Sequence, residues 1–169
     1  NIKKTYRRSY PHGSIVSQIL GYNDTDGHGI SGLEKDYNTE LSGESGIAIK
    51  SKGWKGEFQS RSGLPFTAPI NGSDISLTLD LNYQSILQEE LIKRMKETES
   101  KSAMGLIMNP QSGAILAMSS VPSFDNNNFS NYSIGQHHSK VLTNQFEPGS
   151  TFKIVAATAS LAEDKVSLE

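Results

Sequence analysis

The sequence has 169 residues, enough for one domain or two small ones. Its 16 Lys and Arg against 18 Asp and Glu leave a net charge of −2, which gives no basic field for a phosphate backbone and argues against a nucleic-acid partner. Cysteine is absent, which removes disulfides, thiolate metal sites and cysteine nucleophiles together.

The chain opens on a mild basic cluster over 3–8, which reads as a solvated terminal strand or turn. No apolar segment follows it, so no signal peptide is expected; an anchor, if the parent protein has one, is expected upstream. The apolar patch 15–20 predicts a short helix, and the Gly-, Asp- and Asn-rich stretch 21–32 predicts loop and turn. Asp24, Asp26 and His28 faintly outline a calcium loop, but the closing glutamate is missing, so a turn is expected. Residues 45–72 predict short strands, with Ile47 and Ile49 alternating with smaller residues. Gly53 and Gly56 predict a turn around Trp54, and 63–65 predict another. Trp54 with Phe58 could form a carbohydrate platform, but packing within a hairpin is the better default.

Over 75–79, Ile75, Leu77 and Leu79 alternate with Ser76 and Thr78, which predicts a strand. Asp80 then caps a helix whose apolar face carries Tyr83, Ile86, Leu87, Leu91 and Met95 and which fades near Ser100. The apolar runs 103–108 and 114–118 flank Asn109-Pro110-Gln111-Ser112-Gly113, which predicts a β-hairpin. Residues 119–146 are rich in Asn and Ser and predict one long loop, a kind of segment that is often functional. Within it, His137 and His138 are adjacent and have no well-spaced carboxylate, so they read as surface residues rather than metal ligands. No metal site or cofactor is expected. Pro148-Gly149 end the loop, and 152–162 are apolar almost all round, which predicts a buried helix. That apolar run is far short of the about 20 residues a membrane span needs.

The chemistry is expected where this last helix begins. Ser150 and Lys153 are three residues apart, so at a helix start they project from one face. A serine hydroxyl needs a base to become a nucleophile. A lysine amine serves when a dry, apolar setting lowers its pKa. The helix N-terminus would favour a developing anion. From spacing alone, however, the plainer reading is the better one: Ser150 caps the helix and Lys153 faces solvent. One Ser-x-x-Lys match is about what chance provides.

The surrounding residues change that balance. Phe146-Glu147-Pro148-Gly149-Ser150-Thr151-Phe152-Lys153 resembles the active-site motif of the class B penicillin-binding proteins. Tyr10-Pro11-x-Gly13, Leu20-Gly21-Tyr22, Gly29-x-x-Gly32-Leu33-Glu34 and Leu41-x-Gly43 resemble the N-terminal module of that family. Asp74-Ile75-x-Leu77-Thr78-Leu79-Asp80 resembles the entry to its transpeptidase domain. Pro110-x-x-Gly113-x-Ile115-Leu116-Ala117-Met118 and Pro122-Ser123-Phe124-Asp125 resemble the hairpin and following loop. The chain departs from the family at Asn126, where proline is common, and at Ser139-Lys140, where an Asn-Arg pair is common. Glu147 before Pro148 leans toward division-type members.

The resemblance implies an α+β fold: a strand-rich pedestal or dimerisation module over 1–72, then the first part of a transpeptidase domain over 73–169. It implies that Ser150 attacks the D-Ala-D-Ala carbonyl of a peptidoglycan stem peptide, that Lys153 takes its proton, and that the Ser150 backbone N–H forms half of an oxyanion hole. A neighbouring stem amine would then resolve the acyl-enzyme into a cross-link, and β-lactams would acylate the same oxygen. Glu34 is expected to be structural, holding the N-terminal module to itself. The family's second and third motifs, S-x-N and K-T/S-G, do not occur in the sequence. The chain alone is therefore expected to be inactive, with the last helix covered by further sequence or a second chain. The expected setting is periplasmic or extracytoplasmic, with the parent anchored in the cytoplasmic membrane and partnered by cell-wall or division proteins. A non-catalytic interaction or scaffold module of the same machinery is the alternative.

Overall fold

Asp80 begins the element that organises the molecule. Its carboxylate accepts from the N–H groups of Asn82 and Tyr83 at 2.8 and 3.3 Å, closing the N-terminus of a long helix. The computed structural model describes residues 7–52, 54, 56–59 and 65–167. In chain order these form α1 (Ser17–Leu20), α2 (Gly32–Asp36), α3 (Asn38–Ser42), β1 (Ile47–Ala48), β2 (Ser51–Lys52), β3 (Phe58–Gln59) and β4 (Phe66–Thr67). There follow α4 (Leu81–Glu97), β5 (Ala103–Met108), β6 (Ile115–Val121), α5 (Ile134–His137), α6 (Lys140–Thr143) and α7 (Lys153–Ala162). The mixed composition is the α+β class expected.

The predicted hairpin is present. β5 and β6 pair antiparallel, with Leu106 opposite Met118 and Met104 opposite Ser120. Asn109 shapes the connection, its side-chain oxygen accepting from the N–H groups of Gln111 and Ser112 at 2.9 and 3.3 Å. α4 packs across both strands. Gly105 makes this approach possible: a Cβ there would stand 2.9 Å from Leu87 Cδ1.

The face that α4 presents differs from expectation. Tyr83 and Ile86 are 48 and 58% exposed, whereas Gln84 and Gln88 are buried. The reason is the outer edge of β6. Gln84 Oε1 accepts from the Met118 N–H and Gln84 Nε2 donates to the Met118 carbonyl, both at 2.8 Å. The side-chain amide thus meets the strand as a peptide group of a neighbouring strand would, and it also donates to the Ile15 carbonyl at 2.8 Å. Two residues along, hence on the same edge, the Ser120 N–H donates to Gln18 Oε1 at 3.3 Å. Edge strands need such cover, and here two glutamines provide it.

Residues 75–79 form no strand. The stretch is tied to the hairpin by one backbone bond, Asp80 N–H to Leu116 O at 2.8 Å, and by Thr78 Oγ1 donating to Ile115 O at 2.6 Å. This is too little for a ladder. α2 and α3 were not anticipated from the sequence. The short strands over 45–72 were: β1 pairs with β4, and β2 with β3, as an antiparallel ribbon. Gly53 of the expected first turn, and Gly63 and Leu64 of the second, lie outside the described residues, as does the Phe58 side chain. Trp54 sits in a turn and is fully exposed, so its expected packing fails; among the described residues no further layer covers it.

The core lies at a seam. Tyr10 and Val16 from the N-terminal segment are buried, as are Ala117, Val121 and Phe124 from the second half of the chain. Tyr22 stacks on Phe129 with ring centroids 4.1 Å apart and meets Phe124 edge-on. The stretch 119–146 is correspondingly not a loop. β6 runs to Val121, a 3-10 turn spans Asn126–Asn131, and α5 and α6 follow. Its polar residues act as caps. The Asp125 carboxylate accepts from the Asn127 N–H and the Asn128 side chain, both at 2.9 Å, which holds its carboxyl below the ordinary range. Ser133 and Gln136 form a reciprocal cap on α5.

His137 is not a surface residue. It is buried among Tyr22, Phe124 and Phe129. Its Nε2 lies 3.1 Å from the Phe129 carbonyl, which can only accept, so Nε2 carries the proton and Nδ1 accepts from the Tyr22 hydroxyl at 3.2 Å. His138 is exposed. The Asp24 turn is as expected: its carboxylate accepts from the N–H groups of His28 and Asp26, which lowers its pKa. In the basic cluster, Arg7 and Arg8 are not simply solvated, since Arg7 donates to the Asn127 carbonyl and Arg8 pairs with Glu34.

Candidate active site

Ser150 lies in a 3-10 turn, Gly149–Phe152, that leads directly into α7. Gly149 takes a φ of 52°, a left-handed conformation that glycine adopts without a Cβ penalty. The Pro148 carbonyl accepts from the Thr151 N–H at 3.1 Å and also from the Thr151 hydroxyl. The Lys153 N–H donates to the Ser150 carbonyl, closing the turn. Ser150 lies inside this turn and Lys153 opens α7, so the two residues stand three apart across the junction of turn and helix.

The expected dry setting is not there. Ser150 and Lys153 are exposed, and no hydrogen bond joins their side chains. Along α7, Phe152 at its start, Ile154 and Val155 are 59, 71 and 54% exposed, and only Ser160 and Leu161 are partly covered. A helix apolar on all sides needs neighbours on several sides. Among the described residues, the element it packs on closely is the turn before it.

Glu34, on α2, is 5% exposed and accepts from Arg8 Nε at 2.7 Å. This pair walls a cavity of about 340 Å³ whose apolar lining comes from Leu20, Leu33, Leu41, Ile75 and Leu77. Beside it, the Tyr10 phenol is pushed up to about 12, first by burial and then by the Glu34 carboxylate. Neither Ser150 nor Lys153 lines this cavity. Among the described residues no cluster of three or more His, Asp and Glu could hold a metal ion. No helix there is long and apolar enough to cross a membrane.

Sequence reading missed the polar groups that lie between the N-terminal segment and the stretch leading to Ser150. Gln18 is hydrogen-bonded to Ser120 and Gln136 across more than a hundred positions, and Ser120 to Lys140 across 20, and no local spacing announces these links.

The transpeptidase domain of penicillin-binding proteins matches residues 103–169, and the penicillin-binding protein dimerisation domain matches residues 1–77. Stage V sporulation protein D of Bacillus subtilis is 35% identical over 163 residues, 96% of this chain and 25% of that protein. A probable peptidoglycan D,D-transpeptidase, PbpC of Pseudomonas aeruginosa, is 33% identical over 162 residues, 96% of this chain and 28% of that one. The chain therefore spans about a quarter of the length of these relatives. Among solved structures, penicillin-binding protein 3 of Mycobacterium tuberculosis superposes with a TM-score of 0.74 at 27% identity, covering 90% of this chain and 31% of that one. A peptidoglycan synthetase from Bifidobacterium adolescentis gives 0.74 at 25% identity, covering 95 and 29%. With matches to both domains in order and the same fold in solved members, the chain belongs to the penicillin-binding proteins that combine a dimerisation domain with a transpeptidase domain.

Proposed function

We propose that the full protein is a serine D,D-transpeptidase of peptidoglycan synthesis and that Ser150 is its nucleophile. The hydroxyl attacks the carbonyl between the two terminal D-alanines of a stem peptide. Lys153 takes its proton, terminal D-Ala leaves, and an amine of a neighbouring stem displaces Ser150 from the acyl-enzyme to form the cross-link. A β-lactam carbonyl meets the same oxygen, and the Ser150 N–H donates to the developing oxyanion. The observation that supports this reading is the Gly149–Phe152 turn running directly into α7, which sets Ser150 and Lys153 three residues apart at a helix start. Lys153 acts as a base only once its amine is desolvated, so further sequence of the protein, or a second chain, covers α7 in the working enzyme.

In this reading residues 1–72 form the dimerisation or pedestal module and 73–169 the transpeptidase part, with Glu34 structural. Catalysis takes place outside the cytoplasm, on a parent anchored in the cytoplasmic membrane. Cell-wall or division proteins are the expected partners. The exposed ribbon carrying Ile47, Trp54 and Phe66 favours docking by the first module, so a scaffold role and catalysis are compatible. The test is to incubate the full protein with a fluorescent penicillin and map the labelled peptide. Label on Ser150, lost in Ser150→Ala, supports the enzyme; a folded protein that never labels leaves the scaffold alone.

A further inference from the structure

We propose that Gln18 is a positioning residue for Ser150, holding the segment that leads to the nucleophile against the N-terminal module. The inference rests on the reading of Ser150 as nucleophile. Gln18 belongs to α1, yet its side chain makes three hydrogen bonds to residues more than a hundred positions away. Its Oε1 accepts from the Ser120 hydroxyl at 2.6 Å and from the Ser120 N–H at 3.3 Å. Its Nε2 donates to the Gln136 carbonyl in α5 at 2.9 Å.

Ser120 is fully buried and passes the connection on. With its own proton given to Gln18, its oxygen accepts from the Lys140 N–H, the first residue of α6, at 3.1 Å. One planar amide therefore holds α5 directly and the start of α6 through a single hydroxyl. α6 packs on β5 and β6, and residues 144–148 alone separate its end from the turn bearing Ser150. Gln136 extends the link, since its Nε2 donates to the Ser123 carbonyl at 3.1 Å.

The chemistry needs an amide. Position 18 must present an acceptor to β6 and a donor to α5 from one rigid group, and a carboxylate or a hydroxyl supplies only part of this. Without the side chain, the Ser120 N–H and the Gln136 carbonyl lose these partners. The Ser120 hydroxyl is then free to rotate away from Lys140, and the approach to Ser150 loosens while α7 itself is unchanged. A displacement of about 1 Å at a reacting group costs up to about a hundredfold in rate.

The test uses the full protein and benzylpenicillin. Acylation time courses at several drug concentrations separate the saturating rate constant from the apparent dissociation constant, and thermal unfolding gives the folded fraction. Gln18→Ala is expected to lower the saturating rate constant about tenfold per folded molecule. Gln18→Glu keeps the acceptor toward Ser120 and is expected to lose less. Ser120→Ala is expected to slow acylation as well, and the double variant Gln18→Ala/Ser120→Ala to be no slower than Gln18→Ala, because both act through one chain of bonds. Wild-type rates in folded Gln18→Ala, a loss explained by its unfolded fraction, or fully additive effects overturn the proposal. If Gln18→Ala does not fold, Gln18→Glu and Ser120→Ala decide it on the same rate constant. A wild-type protein that fails to label at Ser150 defeats the transpeptidase reading itself, whereas a labelled wild type with an indifferent position 18 defeats this inference only.

Discussion

Replacing Gln84 with leucine tests the idea that a side-chain amide stands in for a missing strand. Leucine has nearly the same size and suits a helix, so packing and propensity change little. What changes is polar satisfaction: the Met118 N–H, the Met118 carbonyl and the Ile15 carbonyl each lose a partner at 2.8 Å. A buried group left unsatisfied costs about 1–3 kcal/mol. Met118 is buried and Ile15 only half-buried, so the three together are expected to cost about 4 kcal/mol. That is a large share of the about 5–15 kcal/mol that stabilises an ordinary domain. Urea unfolding followed by circular dichroism reads it as an earlier midpoint at unchanged slope. Glu89→Ala, an exposed change on the same helix, is the control and is expected to stay within about 0.5 kcal/mol. A loss below about 1 kcal/mol in Gln84→Leu would mean that water reaches β6 as readily as Gln84 does, and the edge-cap argument would fail.

Arg8→Ala leaves the buried Glu34 carboxylate without its cation and is expected to destabilise by about 2–4 kcal/mol. Adding Glu34→Gln to it should restore part of that in a double-mutant cycle, and purely additive losses would remove the pair from the account. The Tyr10 phenol, raised to about 12, should appear in an ultraviolet titration as a tyrosine ionising near that pH, a step absent from Tyr10→Phe. Because the folded value lies above the unfolded one, the associated stability is fully present below about pH 10 and is lost as pH climbs toward 12.

Local rules reached the elements that local chemistry controls. Asp80 caps α4 because a carboxylate one residue ahead of a helix meets free N–H groups wherever it stands. Asn109 and Gly113 turn the hairpin by the same kind of short-range bonding. The Pro148-Gly149-Ser150 start of the final helix was legible too, since proline and glycine punctuate the backbone without help from afar. The candidate pair, Ser150 and Lys153, could be placed on one turn for that reason.

Burial was not legible, because it is a property of what comes near rather than of the residue itself. Among the described residues, an alternating 75–79 met no full ladder, most of the apolar α7 stays exposed, and so does Trp54. Gln84, Gln88 and His137, polar by composition, went inside because partners for their nitrogens and oxygens were waiting there. The stretch 119–146 looked like a loop since its many Asn and Ser favour turns; only Tyr10, Tyr22 and α1, arriving from the other end of the chain, gave those groups something to cap and pack on. What the sequence alone determined was backbone punctuation and the spacing of the candidate pair. Tertiary structure decided which faces are buried and how Gln18 reaches Ser120, since desolvation and hydrogen bonds across a hundred residues depend on a distance that no sequence window contains.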